Sequence, residues 1–131
     1  MNKKIAQLCP CCSNQSYQDC CEPYHLWQKN APTAETLMRS RYSAYALRKA
    51  DYLVKTWHPK TLPSKLAEEI SEAKWIELVI HKSWDSQSPN EAFVEFTARY
   101  RNSQGKAEKM HEISRFIKHD SHWFYVDGKF I

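Results

Sequence analysis

Residues 92–100 read AFVEFTARY and set the period of the second half of the chain. Apolar and polar residues alternate along this stretch, which is typical of a strand with one buried face. The residues predicted to share that face are Ala92, Val94, Phe96, Ala98 and Tyr100.

The alternation continues on both sides of this strand. Upstream, the residues that share one face are Ile76, Leu78 and Ile80. Downstream, a loop at 102–105 leads into a strand over 110–118, and a tight turn at 120–121 leads into a strand over 123–126. Short loops between successive strands predict an antiparallel meander.

Residues 32–72 instead have helical spacing. Thr33 is the predicted N-cap, and the pattern bends near Lys49 and ends before His58–Pro59, because proline disfavours helix in the residue before it. A short third helix is predicted through Ile70. The first helix carries one stripe of Leu37, Arg41, Ala44 and Tyr45. Helices followed by a separate meander predict an α+β fold.

Composition and charge limit the classes of function that we expect. The chain has 131 residues, 42% of them hydrophobic, and a net charge of +4. Its basic residues are scattered, so nucleic-acid binding is not expected. No stretch approaches the roughly 20 apolar residues of a membrane span, and no signal peptide is evident, so we expect a cytoplasmic protein with reduced thiols and no membrane partner.

All five cysteines lie between positions 9 and 21. Reduced, clustered thiols favour a metal over disulfides, and Zn²⁺ prefers four thiolate or imidazole ligands in a tetrahedron. The pairs Cys9-x-Cys11 and Cys20-Cys21 could close such a site. Cys12 and His25 remain alternative ligands at this point.

The run Cys9-Pro10-Cys11-Cys12-Ser13-Asn14, continued through Tyr17 to Cys20-Cys21, resembles the SEC-C motif. That motif is similar to the zinc-binding tail of the SecA translocation ATPase. The resemblance implies one structural Zn²⁺ held by Cys9, Cys11, Cys20 and Cys21. It also implies a protein-interaction module whose partner belongs to the export machinery, the chaperones or the ribosome. The chain departs from the motif at Cys12 and Asn14, where glycine is usual.

Residues 31–45, APTAETLMRSRYSAY, resemble the signature of the YchJ family of bacterial proteins, as do 56–59, 111–116 and 123–128. This resemblance implies a zinc knuckle over residues 1–30, hereafter the knuckle. It implies a nuclear transport factor 2-like domain over residues 31–131, a cone of helices packed on a curved antiparallel sheet. Fold alone implies no activity.

A curved sheet facing helices often leaves a pocket. The residues predicted to line it are Arg41, Tyr42, Tyr45, Glu112, Ser114, Trp123 and Tyr125. Small-molecule binding or catalysis near Glu112 and Tyr45 is therefore the alternative function, although no catalytic motif is recognisable and an enzyme is not favoured. Glu112 could instead form a buried ion pair with Arg39 or Arg41.

Overall fold

The computed structural model describes residues 7–66 and 73–131. The α-helices among these residues are α1 (Glu22–His25), α2 (Ala34–Ala46) and α3 (Ala50–Lys55), and one 3₁₀ turn spans Tyr17–Asp19. The strands are β1 (Lys74–Asp85), β2 (Glu91–Arg101), β3 (Ala107–His119) and β4 (His122–Phe130). Most of the short helix predicted to run through Ile70 lies outside the described residues.

The four strands form one antiparallel sheet in the order β1-β2-β3-β4. Helices that precede a meander confirm the predicted α+β class. No helix in the described part of the chain has the length and apolar character needed to cross a membrane.

Helix α2 is the central element. Thr33 caps it, since its Oγ1 accepts a hydrogen bond from the backbone N–H of Thr36 at 3.1 Å. The helix packs against β1, β2 and β4 and also against α1. Buried side chains therefore occur on several sides of the helix. These residues are Ala34, Leu37, Met38, Ser40, Arg41, Tyr42, Ser43 and Ala44. A helix enclosed in this way positions side chains towards both the knuckle and the sheet.

The buried face of β2 agrees with its alternation, whereas β1 departs from the prediction. A register shift between Trp75 and Glu77 interrupts the pairing of β1 with β2. As a result Ile76 is 52% exposed, and Trp75 packs against Tyr42 at 5.6 Å between ring centroids. The prediction that Ile76 shares the buried face of Leu78 is wrong, because a bulge adds a residue and reverses the faces beyond it.

A short segment after α3 covers part of the β4 edge. Tyr125 donates its backbone N–H to the Thr56 carbonyl at 2.9 Å, and its own carbonyl accepts the N–H of His58 at 2.7 Å. This parallel bridge lays Trp57 against Tyr125, with ring centroids 4.7 Å apart. The segment thereby brings an aromatic side chain to the sheet face that α2 covers.

Candidate metal centre and adjoining cavity

The chain around Cys9 and Cys11 folds back on itself. Cys9 donates its N–H to Gln15 O at 2.8 Å, and an antiparallel bridge joins Leu8 to Ser16. The reversal between them uses left-handed backbone at Cys12 and Asn14, with φ of 66° and 68°. Glycine adopts this conformation most easily, which accounts for the glycines usual at these positions of the motif.

The four cysteines implied by the motif lie together. The Sγ atoms of Cys9, Cys11, Cys20 and Cys21 are all within 4.8 Å of one another. Cys20 Sγ is 3.6 Å from Cys11 Sγ and 3.8 Å from Cys21 Sγ. Four sulfurs at about 2.3 Å from a tetrahedral Zn²⁺ would be about 3.8 Å apart. The donor set and its spacing therefore fit one metal ion of this kind.

Two serine hydroxyls lie beside the sulfurs. Ser43 Oγ, from the last turn of α2, donates to Cys21 Sγ at 3.4 Å and lies 3.3 Å from Cys9 Sγ. Ser13 Oγ lies 3.1 Å from Cys20 Sγ. Groups that hydrogen-bond a metal ligand orient it and tune its charge.

The thiols also act on one another. Hydrogen bonds from the Cys21 and Cys9 thiols lower the pKa of Cys11, which favours its thiolate form. Burial is the largest cause that raises the pKa of Cys20, to about 11. Four thiolates in this buried place need a compensating cation, which a bound dication would supply.

Cys12 and His25 lie outside the sulfur cluster. Cys12 is exposed, and its Sγ accepts the backbone N–H of Leu78 from β1 at 3.5 Å. His25 Nε2 donates to the Ser40 carbonyl at 2.8 Å, so its Nδ1 accepts from the Tyr17 hydroxyl at 2.6 Å. Burial lowers the pKa of His25, consistent with a neutral ring that joins the knuckle to α2.

A cavity of about 220 Å³ lies on the opposite side of α2, between the helix and the sheet. Six of the seven predicted pocket residues line it, namely Arg41, Tyr42, Tyr45, Glu112, Ser114 and Tyr125. Trp123 does not line this cavity: its Nε1 donates to Pro32 O at 3.3 Å, and its ring borders a separate groove at the start of α2.

Arg41 is 3% exposed and lies against two neighbouring rings. Its Cζ is 5.1 Å from the centroid of Trp57 and 4.9 Å from that of Tyr125. Nη1 donates to Leu53 O at 2.9 Å and to Thr56 Oγ1 at 2.6 Å. The guanidinium is thus fixed by aromatic faces and neutral acceptors, and burial lowers its pKa, although arginine stays charged in proteins.

Glu112 is 6% exposed. Its Oε2 accepts hydrogen bonds from Ser114 Oγ and, at 3.5 Å, from the Tyr125 hydroxyl. Burial raises the pKa of Glu112, and these hydrogen bonds offset the rise only in part. A Cβ at Gly128, on β4, would overlap the Glu112 carboxylate, so the absence of a side chain there admits the carboxylate.

The alternative of a buried ion pair at Glu112 is not seen within residues 7–66 and 73–131. Arg39 lies 3.7 Å from Glu35 and donates to Cys11 O at 2.9 Å. No ion pair within 4.0 Å joins Glu112 to Arg39 or Arg41 in that part of the chain.

The sequence did not predict the role of Ser43 or six of the residues that line the cavity. The additional lining residues are Met38, Trp57, Trp75, Phe96, Ala98 and Met110. One signal for Ser43 was available, since Ser40 and Ser43 are small polar residues three positions apart on a helix rich in apolar side chains. Such spacing places both on one side of the helix.

A cysteine knuckle seated on a helix-and-sheet domain defines the class: α+β proteins that carry a SEC-C motif on a nuclear transport factor 2-like domain. Residues 33–128 match the family described as YchJ, middle NTF2-like domain. The chain belongs to this family, as its sequence resemblance predicted.

Relatives span nearly the whole chain. A UPF0225 protein from Bordetella pertussis is 48% identical over 122 residues, which are 92% of this chain and 90% of that protein. The solution structure of a SEC-C motif protein from Rhodopseudomonas palustris has a TM-score of 0.80 at 31% identity, covering 97% of this chain and 99% of that one. A crystal structure of a SEC-C motif protein from Psychrobacter arcticus has a TM-score of 0.73 at 34% identity, and the match covers 92% of this chain and 81% of that one.

Proposed function

We propose that this protein binds one structural Zn²⁺ through Cys9, Cys11, Cys20 and Cys21, and that the zinc-bound knuckle holds a protein partner. The observation that carries the proposal is the approach of four sulfurs to within 4.8 Å of one another. Four thiolates leave no open position, so the ion is structural rather than catalytic. Tetrahedral sulfur also accommodates iron, and elemental analysis distinguishes the two metals.

The metal test compares two cysteine substitutions. Purified wild type should contain about one zinc per chain. Cys20→Ser removes a ligand and should lose most of that zinc, whereas Cys12→Ser changes an exposed thiol outside the cluster and should keep it. Equal zinc content in the two variants, or iron in place of zinc, would refute the assignment.

Exposed apolar side chains on the knuckle support the interaction role. Leu8 is 62% exposed, Leu26 55% and Trp27 50%. Trp27 is held in place by its contact with the Tyr52 ring at 5.2 Å. Tryptophan is enriched among binding hot spots, and grouped exposed apolar side chains mark interaction surfaces. The SEC-C resemblance suggests partners from the export machinery, the chaperones or the ribosome.

The partner test uses quantitative affinity purification from cells. A specific partner should be retained by wild type and by Cys12→Ser, and it should be lost with Cys20→Ser and with Trp27→Ala. Trp27→Ala separates recognition from metal binding, because it removes an exposed ring and leaves all four cysteines. The same proteins recovered with all four chains would rule out recognition by the knuckle.

Small-molecule binding in the cavity between α2 and the sheet is a second candidate function. The specific observation in its favour is an open volume of about 220 Å³ whose wall contains Arg41 and Glu112, both buried and not paired with each other. Burying charged groups is costly unless they are compensated, and a ligand would supply the missing partner.

A further inference from the structure

We infer that the cavity between α2 and the sheet takes an electrically neutral, ring-containing molecule whose polar edge carries a hydrogen-bond acceptor beside a donor, the chemistry of a carboxamide or lactam. This inference rests on the second candidate function and specifies its ligand. It follows from the size of the cavity, its aromatic walls and the two charged groups that face it.

The size of the cavity limits the size of its ligand. A cavity of about 150 Å³ is enough for benzene, so about 220 Å³ has room for one ring with a small polar group. The walls around that space include the rings of Trp57, Trp75 and Phe96. Such walls favour a flat apolar body, because aromatic faces and edges pack well against another ring.

The polar groups set the second limit. In the described part of the chain, Arg41 Nη1 donates to Leu53 O and to Thr56 Oγ1, and the Tyr45 hydroxyl is a further hydrogen-bond partner of the guanidinium. Some of its five N–H donors are therefore unused. Both hydrogen bonds to the Glu112 carboxylate go to Oε2. Donor capacity at Arg41 and acceptor capacity at Glu112 Oε1 are therefore left for a ligand.

Charge balance selects among ligands. One guanidinium and one carboxylate already sum to zero, so a ligand anion or cation would bring an uncompensated charge into a buried site. A neutral amide adds no charge. Its carbonyl can accept from Arg41 while its N–H donates to Glu112, which spans two groups that do not contact each other directly.

The test uses three probes of the same shape: benzamide, benzoate and benzamidinium. Their dissociation constants are measured on the full-length, zinc-loaded protein by NMR titration at neutral pH. Benzamide is expected to bind wild type at least about fivefold more tightly than either charged probe, a preference within the range of a single hydrogen bond to a charged group.

Glu112→Gln should then reverse the preference. The substitution keeps the shape of the side chain and leaves the Arg41 charge without a counter-charge. Benzoate is therefore expected to bind this variant about tenfold more tightly than it binds wild type. Glu95→Gln is the matched control, since Glu95 contacts His111 on the other face of the sheet; it should leave the wild-type order unchanged.

The outcomes separate the ligand class from the function. Equal affinities, or tightest binding of benzoate or benzamidinium to wild type, would overturn the neutral class while retaining a small-molecule site. No binding by any probe would overturn both this inference and the second candidate function. The wild-type order does not depend on any variant, so a folding defect in Glu112→Gln cannot hide a wrong result.

Discussion

Ser43 links α2 to the sulfur cluster, because its hydroxyl lies within 3.4 Å of both Cys21 Sγ and Cys9 Sγ. We expect Ser43→Ala to weaken zinc binding by about tenfold, since loss of an outer hydrogen bond to a ligand typically costs 10- to 100-fold in affinity. Competition with a chromophoric chelator measures the change.

Ser40→Ala is the control for Ser43→Ala. Ser40 lies on the same helix and is equally buried, but its hydroxyl bonds Tyr52 and the Leu37 carbonyl rather than sulfur. Its loss should lower the free energy of unfolding and leave zinc affinity unchanged. Similar losses of zinc affinity in both variants would mean that Ser43 acts only through general stability.

Glu112 gives the protein a defined pH dependence. Burial raises the pKa of Glu112 in the folded chain above the ordinary value of 4.5. At pH values between 4.5 and this raised pKa, the folded chain holds a proton that the unfolded chain has lost. The free energy of unfolding therefore falls as pH rises through this window. Glu112→Gln lacks the effect, and its stability relative to wild type should increase with pH above about 4.5.

Denaturant titrations at several pH values between 4.5 and 8, with zinc saturating, test this dependence. Acid effects on the thiolates are common to both proteins and cancel in the difference. A difference that stays constant with pH, or that shrinks as pH rises, would contradict the burial of Glu112 as an ionisable group. Asp85→Asn, which changes an exposed carboxylate, controls for the removal of a surface acid.

At the residue scale, chemistry that depends on residue type and spacing could be predicted. The thiol spacing and the SEC-C resemblance identified the four cysteines that the fold brings together, and the period-two pattern placed Glu112 and Ser114 on one face. Period two does not reveal where a helix crosses a strand. The pattern therefore groups Trp123 with Tyr125, although Trp123 borders the groove at the start of α2 and Tyr125 lines the cavity, and it gives no sign that Trp57 lines the cavity too.

At the element scale, α2 depends on its cap. Thr33 Oγ1 accepts the N–H of Thr36, so Thr33→Ala should lower the free energy of unfolding by about 1 kcal/mol. Thr33→Ser keeps the accepting oxygen and should retain most of the stability. Chemical denaturation of the zinc-loaded proteins measures both. Equal losses for Ala and Ser would indicate that the methyl group, rather than the cap, is what matters.

The elements themselves were largely predictable, and their irregularities were not. The α+β class, the N-cap at Thr33 and the order of the strands follow from local patterns, and the structure confirms them. The bulge beside Ile76 depends on how β1 pairs with β2, and the register shift at Arg115 depends on how β3 pairs with β4. Such pairing is a long-range property, which local alternation does not encode.

At the scale of the whole molecule, the knuckle and the sheet meet through α2. Cys9, Cys11 and Cys21 belong to the same buried cluster as Leu37 and Leu53. Cys12 adds a direct contact to β1 through the Leu78 N–H. Metal binding therefore bears on the packing of α2 as well as on the loop that holds the sulfurs.

Zinc removal should nevertheless destabilise the knuckle much more than the sheet. In small zinc modules the metal supplies on the order of 10 kcal/mol of folding free energy, whereas β2 and β3 each pair with neighbours on both sides without it. After chelation, we expect faster amide hydrogen exchange in residues 7–30 and in the middle of α2, with β2 and β3 still protected. Hydrogen exchange read by mass spectrometry, with zinc added back as the control, measures this. If β2 and β3 lost protection together with residues 7–30, the chain would fold as one cooperative unit, and the predicted division at residue 30 would be wrong.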